Sequence, residues 1–151
     1  MTNKRLAYSV YNQFMELQVG AKVLLKNTEG KYLIIRRSPY EERGVGKWDI
    51  PGGRIDAGSP LLDNLKREVS EETGLELTDK PRLVAAQDLM WPDRHVVRLT
   101  YIGTAEGTPT LSVEHDAFQW VTFIEMQDLE NLDTFIKELI DDGTISETTH
   151  G

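Results

Sequence analysis

GRIDAGSPLLDNLKREVSEETGL, residues 53–75, is the stretch on which the reading turns. Its middle has helical spacing: Leu61, Leu62, Leu65 and Val69 form one apolar stripe. Ser59-Pro60 supplies an N-cap residue followed by a proline suited to the first helical position, and Gly74 is placed to end the helix. At about 100° per residue, Glu68 and Glu72 share a face, and Glu71 lies one step round on the same side. Glu68 and Glu72 sit at the edge of the apolar stripe, where carboxylates lose part of their water. Like charges at this spacing repel by roughly 0.2–0.5 kcal/mol in the open and by more when desolvated. Arg67 can pair with Glu71, four residues on, but cannot neutralise three glutamates. A hard divalent cation can, because Mg²⁺ takes oxygen ligands and binds one or two carboxylates together with phosphates. The competing reading is a solvated acidic face without a ligand.

Upstream, residues 19–26 (VGAKVLLK) and 31–37 (KYLIIRR) are apolar, partly alternating runs separated by Asn27-Thr28-Glu29-Gly30, which predicts a β-hairpin. Residues 38–46, with Pro39, Gly44 and Gly46, read as a loop. A short strand at 48–50 ends in Pro51-Gly52-Gly53, a turn that lets backbone approach a neighbour closely. Downstream, strands are predicted at 83–90, 96–104 and 118–123, and one helix over 125–140. Glu114-His115-Asp116 falls in a loop before the last strand. Glu114 is a further acidic candidate there, and His115 reads as a loop or supporting residue rather than a ligand. Residues 1–17 are a mixed leader. Strands and helices in this order predict an α+β chain, a mixed sheet packed between helices, in a single domain over 1–151.

The 151-residue length suits one domain with a core of its own. The absence of cysteine excludes disulfides, thiolate metal sites and a cysteine nucleophile. The formal net charge of −8 argues against a surface that coats a polyanion, so no long nucleic acid is expected. A small anionic substrate stays open, because a bound divalent ion reverses the local sign. No apolar run is long enough for a membrane span and no signal peptide is evident, so the cytoplasm is the default location.

Residues 53–75 resemble the Nudix box, G-x5-E-x7-R-E-U-x-E-E-x-G-U with U a bulky aliphatic. Gly53, Arg67, Glu68, Val69, Glu71, Glu72, Gly74 and Leu75 fall on pattern positions. Ser59 stands where the first box glutamate belongs, and Asp56 is the nearest stand-in. The flanks, WDIPGG and EHDAFQWV, also look like the family, and the resemblance spans roughly residues 19–140. It implies an α/β/α sandwich with a mixed sheet. It implies Glu68 and Glu72 as principal Mg²⁺ ligands, with Glu71, the Gly52 carbonyl and Glu114 in support and Mn²⁺ as a substitute ion. Arg67 would orient the glutamates, and Glu68 or Glu71 would accept the proton of an attacking water.

The activity implied is hydrolysis of a phosphoanhydride bond, foremost in a (deoxy)nucleoside triphosphate giving monophosphate and pyrophosphate. A nucleotide-sugar such as ADP-ribose is the alternative substrate, and a non-catalytic nucleotide-binding module is the alternative of another class. A homodimer stays open. For substrate binding, Arg36 and Arg37 end a strand on opposite faces, so one of them faces a ligand. Tyr40 follows them, and Trp91 lies in a hairpin tip, Trp91-Pro92-Asp93-Arg94-His95, able to stack on a base. Surface ion pairing and an exposed turn are the competing readings for these groups. Trp48 and Trp120 read as core.

Overall fold

The computed structural model describes residues 15–150. Its framework is a mixed sheet in the order β3-β2-β1-β6-β5, with β4 on β1 and β7 on β2. The strands are β1 (Glu16–Lys26), β2 (Tyr32–Arg37), β3 (Trp48–Asp49), β4 (Gly52–Arg54), β5 (Arg82–Trp91), β6 (Arg94–Thr104) and β7 (His115–Val121). Central β1 runs parallel to β6 from Glu16↔Arg94 to Lys26↔Thr104 and antiparallel to β2 and β4. The helices are α1 (Leu61–Thr73), α2 (Phe123–Gln127) and α3 (Thr134–Asp141).

The unbroken apolar runs of β1 and β2 are explained by burial on both faces. Ala21, Val23, Leu25, Leu33 and Ile35 pack with Leu65 and Val69 of α1 on one side. Leu24, Tyr32 and Ile34 pack with Met126, Ile136, Leu139 and Ile140 of α2 and α3 on the other. The expected sandwich, helices on both faces of a mixed sheet, is the architecture found. Full burial of a side chain such as Leu65 or Val69 contributes roughly 1.5–3 kcal/mol.

The hairpin turn forms as read: the Asn27 side chain accepts from the amides of Glu29 (3.1 Å) and Lys31 (2.9 Å), and Gly30 takes a positive φ of 78°. The structure adds to or departs from the sequence reading at five points. The leader's last two residues open β1, while the described structure begins at residue 15. Residues 52–54 are a strand on β1 and not only a turn. Ser59 does not cap α1: its amide donates to the Asp56 carbonyl (3.0 Å), Pro60 occupies the N-cap position with an extended ψ of 139°, and the Pro60 carbonyl accepts the first helical bond from Asn64 (2.9 Å). The helix read over 125–140 is two helices. Trp48 donates to Asn131 (2.7 Å) and accepts from Asp133 (2.8 Å), which takes these backbone groups out of any continuous helix. A Thr122–Glu125 capping box starts α2, displacing the end of the strand expected to reach 123. Asp133 starts α3 by accepting from the amides of Phe135 (3.1 Å) and Ile136 (3.0 Å). Trp48 and Trp120 are half-buried against the two cores, and the Trp120 ring NH donates to Gly107 (3.1 Å).

Candidate functional site

The site grows from the contact between α1 and β4. Gly52 pairs with Lys22 of β1 so closely that a Cβ there would overlap the Ala21 carbonyl oxygen, and its φ is 141°. Only glycine fits. Its amide donates to Glu72 Oε2 (2.8 Å). A Cβ on Gly53 would lie 3.0 Å from Glu68 Oε2, so the second glycine leaves the room that this carboxylate occupies. Asn64, fully buried, fixes the intervening loop: its Nδ2 donates to Arg54 (3.0 Å) and its Oδ1 accepts from the Asp56 amide (3.2 Å).

The two helix-edge glutamates differ. Glu72 is buried, and desolvation pushes its carboxyl up to about 8 against the pull of Lys22 and the Gly52 amide. Glu68 is half-buried and is also raised, first by desolvation, with Arg67 opposing. Glu71 is exposed and paired with Arg67 (3.0 Å). Arg67 further reaches Asp56 (2.9 Å), Asn64 (3.1 Å) and Glu68 (3.4 Å), which sets it between the glutamates and the loop. Glu114 immediately precedes β7, and one carboxylate oxygen each of Glu72 and Glu114 and a ring nitrogen of His115 lie within 4.8 Å of one another. Burial, followed by the Lys22 charge, pushes the His115 imidazole down to about 4.

A cleft of about 620 Å³ opens beside this group. Its volume falls in the usual range for small-molecule sites. Glu68, Glu72, Glu114, Gly52 and Gly53 line one part. Trp91, Arg43, Arg94, Arg98 and Phe135 line another. Arg37 faces the cleft, bound to Glu41 (2.9 Å) and Asp49 (3.4 Å), whereas Arg36 pairs with Asp116 (2.7 Å) and is not among the lining residues. Tyr40 is 78% exposed and also outside the lining. Glu71 and Arg67 do not line the cleft either. The guanidiniums of Arg43 and Arg94 lie 4.7 Å and 4.8 Å from the centroid of the Trp91 ring.

Sequence reasoning missed the floor of the cleft. Asp49, buried, binds Lys22 (2.8 Å) and lies 3.5 Å from Arg98, and Arg98 in turn binds Asp133 (3.0 Å) over the Phe135 ring (5.7 Å). Burial alone would raise the Asp49 carboxyl, but Lys22 and Arg98 hold it far below the usual carboxylate range. A cation at an inward position of the apolar strand RHVVRLTYIGT was the available signal for Arg98.

The family model of the NUDIX domain matches residues 16–143. The chain belongs to the Nudix family. The chain is 38% identical over 105 residues to a Bacillus subtilis protein named "Putative 8-oxo-dGTP diphosphatase", a match covering 68% of this chain and 65% of that one. It is 32% identical over 91 residues to a Mycobacterium tuberculosis protein named "Putative 8-oxo-dGTP diphosphatase 2", covering 57% of this chain and 61% of the relative. These matches therefore span somewhat less than two thirds of either relative's length. Among solved structures, a MutT protein from Methanosarcina mazei Go1 superposes with a TM-score of 0.77 at 25% identity, over 85% of this chain and 93% of that one. Among the described residues, no helix is long and apolar enough to cross a membrane.

Proposed function

We propose that this chain is a divalent-metal-dependent hydrolase that splits a nucleoside triphosphate, foremost a guanine deoxynucleotide, into monophosphate and pyrophosphate. The observation that carries the proposal is a single cleft with an acidic part formed by Glu68, Glu72 and Glu114 and an aromatic, cationic part around Trp91, Arg98 and Phe135. The first suits a metal ion with phosphates, the second a base. The names of the bacterial relatives favour guanine.

The donor set fits a hard ion. Glu72 is a carboxyl that burial raises to about 8 against the pull of Lys22, and a divalent ion beside it would take the place of its proton. Glu68, Glu72, Glu114 and the Gly52 carbonyl would hold Mg²⁺, or Mn²⁺ in its place. A bound divalent ion supplies charge neutralisation at the polyphosphate and acidifies a water beside it. The chain's own groups do the rest. Gly52 fixes Glu72 through its amide. Glu68, half-buried at the cleft wall with a raised carboxyl, accepts the proton of the attacking water, a role for which Glu71 is badly placed, turned to solvent and held by Arg67. Arg37 faces the polyphosphate, and Trp91 stacks on the base.

The test is a screen of deoxynucleoside triphosphates, 8-oxo-dGTP and ADP-ribose with Mg²⁺, with pyrophosphate and phosphate release read separately. Pyrophosphate from a guanine nucleotide is expected, and Glu68→Gln should cut turnover by roughly 10²–10⁴ with the fold retained. Hydrolysis of ADP-ribose alone, or full activity in Glu68→Gln, would overturn the substrate or the base assignment.

A further inference from the structure

His115 opens β7 opposite Arg37 and is 4% exposed. Neither of its ring nitrogens has a hydrogen-bond partner among the described residues. A neutral imidazole carries one donor and one acceptor, and a buried polar atom left unmet costs about 1–3 kcal/mol. The ring therefore lacks a partner that the protein itself does not supply. One of its nitrogens lies within 4.8 Å of carboxylate oxygens of Glu72 and Glu114, which are within the same distance of each other. Neither carboxylate hydrogen-bonds the ring. The separation is near the spacing of donors around one ion: at about 2.1 Å each, three donors spread evenly around an ion stand up to about 3.6 Å apart. From the 4.8 Å limit, a shift of about 0.7 Å by each donor closes the set.

We propose that His115 is a nitrogen ligand in a Glu72–Glu114–His115 divalent-ion site, and that this site prefers Mn²⁺ or Co²⁺ to Mg²⁺. The inference rests on the metal-dependent reading above and departs from the sequence reading of His115 as a loop or supporting residue rather than a ligand. The preference follows from ligand chemistry. Mg²⁺ demands oxygen and keeps its waters, whereas imidazole suits the later first-row ions, whose affinities rise along the series from Mn²⁺.

The test uses the full chain and the metals themselves. Pulsed electron paramagnetic resonance of the Mn²⁺-loaded protein should show coupling to a directly bound imidazole nitrogen. Three histidines are present, His95, His115 and His150. The coupling should survive His95→Gln and His150→Gln and vanish in His115→Gln. The first two variants assign it by elimination even if the third does not fold. Calorimetry of a folded His115→Gln protein should show Mn²⁺ affinity reduced at least roughly tenfold, the smallest loss usual when a metal-site partner is removed, with Mg²⁺ affinity far less affected. Mn²⁺ bound without nitrogen coupling, with equal affinity in His115→Gln, overturns the nitrogen ligand and leaves the carboxylate site standing. No binding of either ion to the wild-type chain overturns both.

Discussion

Replacing Glu72 by glutamine should stabilise the metal-free protein, and by an amount that depends on pH. In the unfolded chain Glu72 ionises near the ordinary value of 4.5, while in the folded chain it keeps its proton to about 8. Between these values the native state binds more protons than the unfolded one, so wild-type stability falls as pH rises. The loss is ~1.36 kcal/mol per pH unit, reaching about 3 kcal/mol at pH 7 and about 5 kcal/mol above pH 8. Glutamine keeps an oxygen for the Gly52 amide and has no proton to lose, so Glu72→Gln escapes the penalty. All other titrating groups are common to both proteins and largely cancel in the difference. Urea unfolding followed by tryptophan fluorescence, in chelator and across about pH 5 to about pH 9, should show the variant near wild type at the acid end and increasingly more stable towards the alkaline end. At pH 7 the difference corresponds to about 10 °C in melting temperature for a chain of this size. Divalent ion should reverse the ranking, because the ion replaces the proton on Glu72 and has less to bind in the variant. A difference that stays constant across the pH range would refute the reasoning, since it would mean that Glu72 ionises alike in both states.

Gly53→Ala should lower kcat by roughly 10²-fold, the cost of displacing a reacting group by about an ångström, because its Cβ meets Glu68 Oε2; melting should stay near wild type, which a thermal scan checks. Asp49→Asn leaves Lys22 and Arg98 inside without their shared partner and should destabilise by about 3–5 kcal/mol in urea unfolding. Trp91→Ala should raise KM for the nucleotide by the loss of about 1–3 kcal/mol of stacking, with Tyr40→Ala and Arg36→Ala near wild type in the same steady-state assay.

What could be read in the chain beforehand was what local spacing determines. Glu68 and Glu72 announced their place by sitting four apart on the margin of the Leu65–Val69 stripe, and both lie against the core edge as that geometry requires. The hairpin was visible in Asn27 and Gly30 because their turn is closed by neighbours in sequence. The floor of the cleft was not. Asp49 meets Lys22 and Arg98 only because β3 joins β2 while β6 joins β1, and no periodicity encodes that meeting. The break between α2 and α3 was hidden for the same reason: the competitor for its backbone bonds is Trp48, remote in sequence. Ser59-Pro60 misled because cap chemistry was right in kind, while the turn closing on Asp56 drew the serine away from the helix.

Asp133 serves two masters: it starts α3, which carries Ile136, Leu139 and Ile140 into the core, and it is the counter-ion of Arg98 at the cleft. A mutation there that altered ligand choice would also unfasten a helix, at roughly 0.5–2 kcal/mol for the cap alone. Drift towards new substrates is thereby steered away from the floor and onto the rim, where Arg43 and Trp91 touch each other outside the two hydrophobic cores and can be exchanged at less risk to the fold.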